Sequence, residues 1–166
     1  MKRAFCLTLM ALSIMLSSCE KDDICDANTA TTPRMVINFY DINNPTVLKN
    51  VTSLAIIGDG IENPISTFNN VSTASLPLRT DADLTTYRFI LNSTDLNTDN
   101  EDRIAINYAR NDIFVSRACG YKTLFVMDEA APFALDAATD GAWIQNITVV
   151  QPSIETEDET HLNIYF

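Results

Sequence analysis

The chain has 166 residues, enough for one domain of ordinary size, and 46% of them are hydrophobic, which excludes a wholly disordered protein. Twenty-two acidic residues against 11 basic give a net charge of −11, so the surface repels phosphate backbones and a nucleic-acid partner is not expected. One His, one Trp and four Gly leave little material for a metal centre or a phosphate-cradling loop, and no cofactor is expected.

Lys2 and Arg3 open the chain, and Ala4 to Leu16 is an uncharged, mostly apolar run. It falls short of the ~20 residues that a membrane-spanning helix needs and has the form of a secretory signal. It leads into Leu16-Ser17-Ser18-Cys19, which resembles the bacterial lipobox, where the chain is cut before the Cys and its thiol takes a diacylglycerol. The expected organisation is a lipoprotein signal peptide at residues 1–18, a lipidated N-terminus and tether at 19–33, and one folded domain at 34–166. Cleavage removes Lys2 and Arg3 and no acid, leaving 9 basic against 22 acidic residues, a charge of −13. Glu20-Lys21-Asp22-Asp23 then resembles the acidic export signal of outer-membrane lipoproteins displayed on the cell surface, and the alternative is a plain solvated tether.

From Arg34 onward short apolar runs alternate with turn residues. Met35 to Tyr40 is a strand, Asn43-Asn44-Pro45 a turn, and Val51 to Ile57 a strand closed by Gly58-Asp59-Gly60. Ser72 to Leu78 is weaker, because Pro77 suits an edge. Thr85 to Asn92 places Tyr87, Phe89 and Leu91 on one face and Arg88 on the other. Arg103 to Arg110 does the same with Ile104, Ile106 and Tyr108. Asn111-Asp112 reads as a hairpin turn into Ile113 to Ala118, and Tyr121 to Met127 continues after a bulge or turn at Gly120. Residues 128–142 read as an Ala- and Asp-rich loop with a short helical turn, Trp143 to Gln151 as a strand, Ser153 to Glu159 as an acidic turn, and His161 to Phe166 as the last strand. Eight or nine short strands with no long amphipathic helix predict an all-β, antiparallel β-sandwich, immunoglobulin-like or jelly-roll-like. The strands are too short for an outer-membrane barrel.

Cys6 leaves with the signal and Cys19 takes the lipid, so Cys25 and Cys119 remain. Two thiols in an oxidising space read as one disulfide. The alternatives are two inert thiols, or a nucleophile at Cys119 with His161 as its base. Asp95-Leu96-Asn97-Thr98-Asp99 has the opening spacing of a calcium loop. Asn100 replaces its Gly and Ile106 its Glu, so a polar hairpin loop is expected. Gly58-Asp59-Gly60 lacks the third Gly of a dinucleotide loop and is a tight turn. Glu155, Glu157, Asp158 and Glu159 form an acidic run that suits a solvated loop. Trp143 and the tyrosines are expected in the core rather than on a sugar platform.

Cys25 to Arg34 (CDANTATTPR), Ser116 to Thr123 (SRACGYKT), Asn146 to Pro152 (NITVVQP) and the ending through Phe166, together with the lipobox, resemble an uncharacterised lipoprotein family of the Bacteroidetes group, a domain of unknown function. The resemblance implies an outer-membrane location and brings no catalytic residue. Arg34, Arg117 and Lys122 lie in or beside its distinctive segments and are expected to form a contact surface, or else to pair with neighbouring acids. The expected role is a non-enzymatic binding or assembly module, held to the membrane by its lipid and meeting an envelope protein or polysaccharide. The alternatives are a glycoside-processing enzyme working through paired carboxylates and a calcium-stabilised adhesion domain.

Overall fold

The computed structural model describes residues 24–137, 139 and 141–166. The signal segment, Cys19 and Glu20-Lys21-Asp22-Asp23 lie outside them. The described residues fall into two units: residues 24–29 with Phe114–Tyr121, and Ala30–Ile113 with Lys122–Phe166.

Among the described residues there is no helix, and twelve strands form two sheets. The first sheet contains β1 (Met35–Asp41), β2 (Asn44–Leu48), β5 (Thr73–Leu76), β10 (Asn146–Val149) and β12 (Leu162–Tyr165). Its path is β10-β12-β1-β2, with β5 also on β1. The second contains β3 (Leu54–Gly58), β4 (Ser66–Phe68), β6 (Leu84–Leu91), β7 (Asn100–Ser116), β8 (Gly120–Met127), β9 (Phe133–Ala137) and β11 (Ser153–Ile154). It runs β11-β8-β7-β6-β3-β4, with β9 also on β7. This is the expected all-β sandwich. Its pairings are antiparallel except that β1 and β12 run parallel, Ile37 opposite Leu162 and Phe39 opposite Ile164.

The core follows from strand alternation. Ile37 and Phe39 of β1 and Leu162 and Ile164 of β12 enter one apolar cluster with Leu54 and Ile56 of β3, Phe89 of β6, Ile104 and Ile106 of β7 and Phe125 of β8. The second-sheet hairpin keeps its predicted faces. Tyr87 and Phe89 are buried, and Arg88 on the other side pairs with Glu101 across the strands, Nε to Oε1 2.8 Å.

Four local expectations change. β7 does not turn at Asn111-Asp112. It continues to Ser116, and Asp112 Oδ1 accepts the Thr123 hydroxyl from β8 at 2.6 Å. The turn needs a left-handed residue, and that residue is Gly120, at φ 72°. From Asp128 to Ala137 the Ala-rich stretch forms no helical turn. Asp128 Oδ1 accepts the N–H groups of Ala130 and Ala131, and the chain then re-enters the sheet as β9, pairing with β7 from Phe133–Ile106 to Ala137–Asp102. Asn44-Pro45 begins the exposed strand β2 rather than completing a turn. Trp143 precedes its strand instead of belonging to it.

Two buried polar groups hold loops onto the sheets. Asp102 is fully buried, and its Oδ2 accepts the N–H groups of Trp143 (2.9 Å) and Ile144 (2.7 Å). Trp143 Nε1–H donates to the Phe89 carbonyl, and the indole meets the Phe166 ring edge-on at 5.3 Å. His161, immediately before β12, is fully buried. Its Nδ1 accepts the Val36 N–H at 2.8 Å, and its own N–H donates to the Val36 carbonyl at 2.9 Å.

Two predictions follow from these joints. Asp102→Ala leaves two buried N–H groups without their acceptor and should lower unfolding free energy by about 2–4 kcal/mol in denaturant titration. His161 must be neutral to accept at Nδ1, and burial pushes its pKa below the ordinary 6.5. The unfolded chain therefore binds the proton first as pH falls. Stability should be full above about pH 6.5 and decline below it. Melting temperatures between pH 7.5 and 5 should show this decline, and His161→Gln should flatten it, since the chain has no other histidine.

Candidate functional site

The N-terminal end of the described chain is crosslinked. Cys25 and Cys119 form a disulfide, with 4.9 Å between Cα atoms and a sequence separation of 94. Both belong to the smaller unit. Cys119 lies in the turn after β7, where its N–H donates to Ser116 Oγ at 3.0 Å. Cys25 precedes a tight turn in which Asp26 Oδ1 accepts the Asn28 N–H at 2.8 Å. The crosslink removes the thiol that nucleophilic catalysis at Cys119 would need. His161, the base considered for it, is committed to Val36.

The three cations expected to form a contact surface have different fates. Arg34, just before β1, grips Glu157 with Nε at 3.0 Å from both carboxylate oxygens and Nη2 at 2.6 Å from Oε2; its backbone N–H also donates to Oε1. The hydrogen bond from Arg34 holds the Glu157 carboxyl below the usual carboxylate range. Arg34 is thus engaged in charge pairing. Arg117 is exposed in the smaller unit and Lys122 is half-buried in the larger. Neither forms an ion pair among the described residues.

The acidic run lines a recess of about 290 Å³, in which Glu155, Thr156, Glu157 and Asp158 face Ala30, Thr31 and Pro33. The calcium-like loop closes on itself. Asp95 accepts the N–H of Asn97 and the hydroxyl of Thr98, and these bonds hold its carboxyl below the ordinary value, the backbone bond first. It joins β6 to β7 as the polar hairpin loop that the sequence suggests.

A larger cleft of about 390 Å³ opens where the β3–β4 and β5–β6 connections approach the start of β6. Ile61, Ile65 and Leu84 stand exposed around it. Its polar wall is rigid. The Arg79 N–H donates to Thr85 Oγ1 at 2.9 Å, and the Tyr108 hydroxyl donates to the Arg79 carbonyl at 2.9 Å. Tyr108 has a single hydroxyl hydrogen, so Thr85 donates to Tyr108 across their 2.6 Å contact. The Tyr87 hydroxyl donates to the Pro77 carbonyl. Burial raises the pKa of both phenols, so they stay neutral. Arg79 is paired with Asp81, and nearby Arg110 with Asp83. The arrangement offers apolar contact and fixed hydrogen-bonding groups, with no histidine or free thiol among its lining residues.

Sequence reasoning missed this cleft. Ile61 and Ile65 lie in a segment without alternation, and Leu84 is the first residue of β6, one position before the strand expected from Thr85.

These features define an all-β sandwich domain with a single long-range disulfide among the described residues. The chain belongs to a family of unknown function, DUF6452, whose sequence pattern matches residues 53–166. Neither a search of curated proteins nor one of solved structures returned a match.

The disulfide closes a loop of 94 residues, which on the chain-entropy account stabilises the fold by about 4–5 kcal/mol. Denaturant unfolding of Cys25→Ser with Cys119→Ser, compared with the oxidised protein, should show a loss approaching that size with little change in far-ultraviolet circular dichroism before the transition.

Proposed function

We propose that this chain is a lipid-anchored β-sandwich module of the bacterial outer membrane, displayed at the cell surface, which acts by binding or assembly rather than by catalysis. The observation that carries the reading is the ordered N-terminal sequence: Lys2-Arg3, the apolar run, then Leu16-Ser17-Ser18-Cys19 and the charged Glu20-Lys21-Asp22-Asp23. The Cys25–Cys119 crosslink agrees with it, because structural disulfides belong to oxidising compartments. The resemblance to the Bacteroidetes-type lipoproteins supports the same location. Lys122 and the apolar cleft at Ile61, Ile65 and Leu84 are the surfaces on which an envelope protein or polysaccharide would act, since Arg34 is spent on Glu157.

Binding is favoured over paired-carboxylate chemistry by the state of the acids. Glu157, in the acidic recess, is held ionised by Arg34 and is poorly suited to donate a proton. Asp95 spends its oxygens on its own loop, which favours loop closure over calcium-dependent adhesion.

The test is the intact mass of the protein purified from its own envelope. A chain beginning at Cys19 and carrying acyl groups is expected, and Cys19→Ala should abolish incorporation of labelled fatty acid. A mature chain that begins elsewhere and carries no acyl mass would overturn the reading. Protease shaving of intact cells should degrade the domain; complete protection would refute surface display.

A further inference from the structure

The smaller unit has a surface unlike the rest of the chain. Phe114 and Tyr121 flank the turn between β7 and β8 and pack edge to face, centroids 5.4 Å apart at 67°. The pair does not bury itself: Phe114 is 56% exposed and Tyr121 69%, and Ile24, next to Cys25, is 82% exposed. Leaving two neighbouring aromatic rings and an isoleucine in water is costly, and a clustered exposure of this kind marks a contact surface. Charge also sets the unit apart. Its described residues hold one base, Arg117, and one acid, Asp26, in a chain with twice as many acids as bases.

The disulfide decides what this surface meets. Cys119, in the aromatic turn, is bonded to Cys25, and Cys25 is six residues after Cys19. Six residues span at most about 20 Å, so an acyl chain on Cys19 would hold the crosslinked turn at the bilayer surface. Without the crosslink, the turn would lie 94 residues further along the chain from the anchor.

We propose that the β7–β8 turn is a membrane-contacting finger, with Phe114, Tyr121 and Ile24 in the interfacial layer of the bilayer and Arg117 on lipid phosphate. This rests on the reading of Cys19 as lipidated. Amphipathic rings favour that layer, the Tyr hydroxyl keeps water or headgroup partners, and an arginine beside them reaches phosphate through a long apolar stem. The described residues of this unit hold one base and one acid, so an anionic leaflet does not repel it as it would a strongly acidic surface. The angle between the two rings leaves no common flat face for stacking a sugar.

The test uses the lipidated full chain carrying Phe114→Trp, in vesicles of phosphatidylethanolamine and phosphatidylglycerol doped with dibrominated phosphatidylcholine. The wild-type protein is the control, since its only tryptophan, Trp143, is buried. The expected result is a blue-shifted indole at position 114 that bromine quenches and aqueous iodide does not, with the wild type insensitive to bromine. Exchange of Arg117→Glu should weaken the quenching. An acylated, vesicle-bound protein whose indole at position 114 stays red-shifted and open to iodide would overturn the finger while leaving the lipoprotein reading intact. An indole shielded from both quenchers, as in a contact with another protein or a second copy, would overturn it too. A chain without acyl mass would overturn both. Mass analysis of the Cys25–Cys119 peptide checks that the substituted turn keeps its crosslink.

Discussion

Val36 and His161 exchange two hydrogen bonds, backbone to ring nitrogen and backbone to backbone, and through them the first and last strands lie side by side. The parallel pairing of β1 with β12 continues that contact, and among the described residues β10 joins the sheet through β12. The first sheet therefore depends on a pairing between segments some 125 residues apart in the chain. A parallel pair cannot be closed by a hairpin, so the whole intervening chain serves as its connection. In the second sheet half of the pairings join consecutive strands, β3 with β4, β6 with β7 and β7 with β8, and its apolar face supplies the surface against which the first sheet closes.

Electrostatics is managed locally. Among the described residues every ion pair is made by an arginine: Arg34, Arg79, Arg88, Arg103 and Arg110 each engage an acid. The planar guanidinium suits this, because it binds both oxygens of a carboxylate in fixed geometry. Lys49 places its ammonium over the Phe166 ring and on the Phe166 carbonyl. With most cations spent on neighbours, the surplus of acids dominates the remaining surface, and the exposed Arg117 in its nearly uncharged turn stands out. Exposed pairs of this kind contribute little each, ~0–1 kcal/mol. Their effect is mainly on which surfaces attract and which repel.

The strands that alternate strongly were legible. β1, β6, the first half of β7 and β12 carry apolar residues at every second position, β3 is a continuous apolar run, and neither pattern needs a partner to be read. β9 was invisible because Ala and Asp disfavour strands in isolation. It forms because β7 presents an unpaired edge at Asp102 to Ile106 and the Asp128 turn aims the chain along it. Asn111-Asp112 looked like a turn because its residues are turn formers. The long β7 wins because β8 pairs alongside it and a glycine supplies the left-handed residue nine positions after Asn111. The site was legible in its chemistry and hidden in its shape. The disulfide followed from counting thiols, whereas the cleft of Ile61, Ile65 and Leu84 depends on two loops meeting across the sheet.

By itself the sequence determined the all-β class and the alternating core faces and led to the expectation of a Cys25–Cys119 pairing, because each rests on local pattern or composition. Only the tertiary structure decided the parallel β1–β12 junction, the burial of His161 and Asp102, the engagement of Arg34 with Glu157, and the exposure of Phe114 and Tyr121 at a crosslinked turn. Those depend on which distant segments meet, and a period-two pattern states which face of a strand is apolar without stating what it will be packed against.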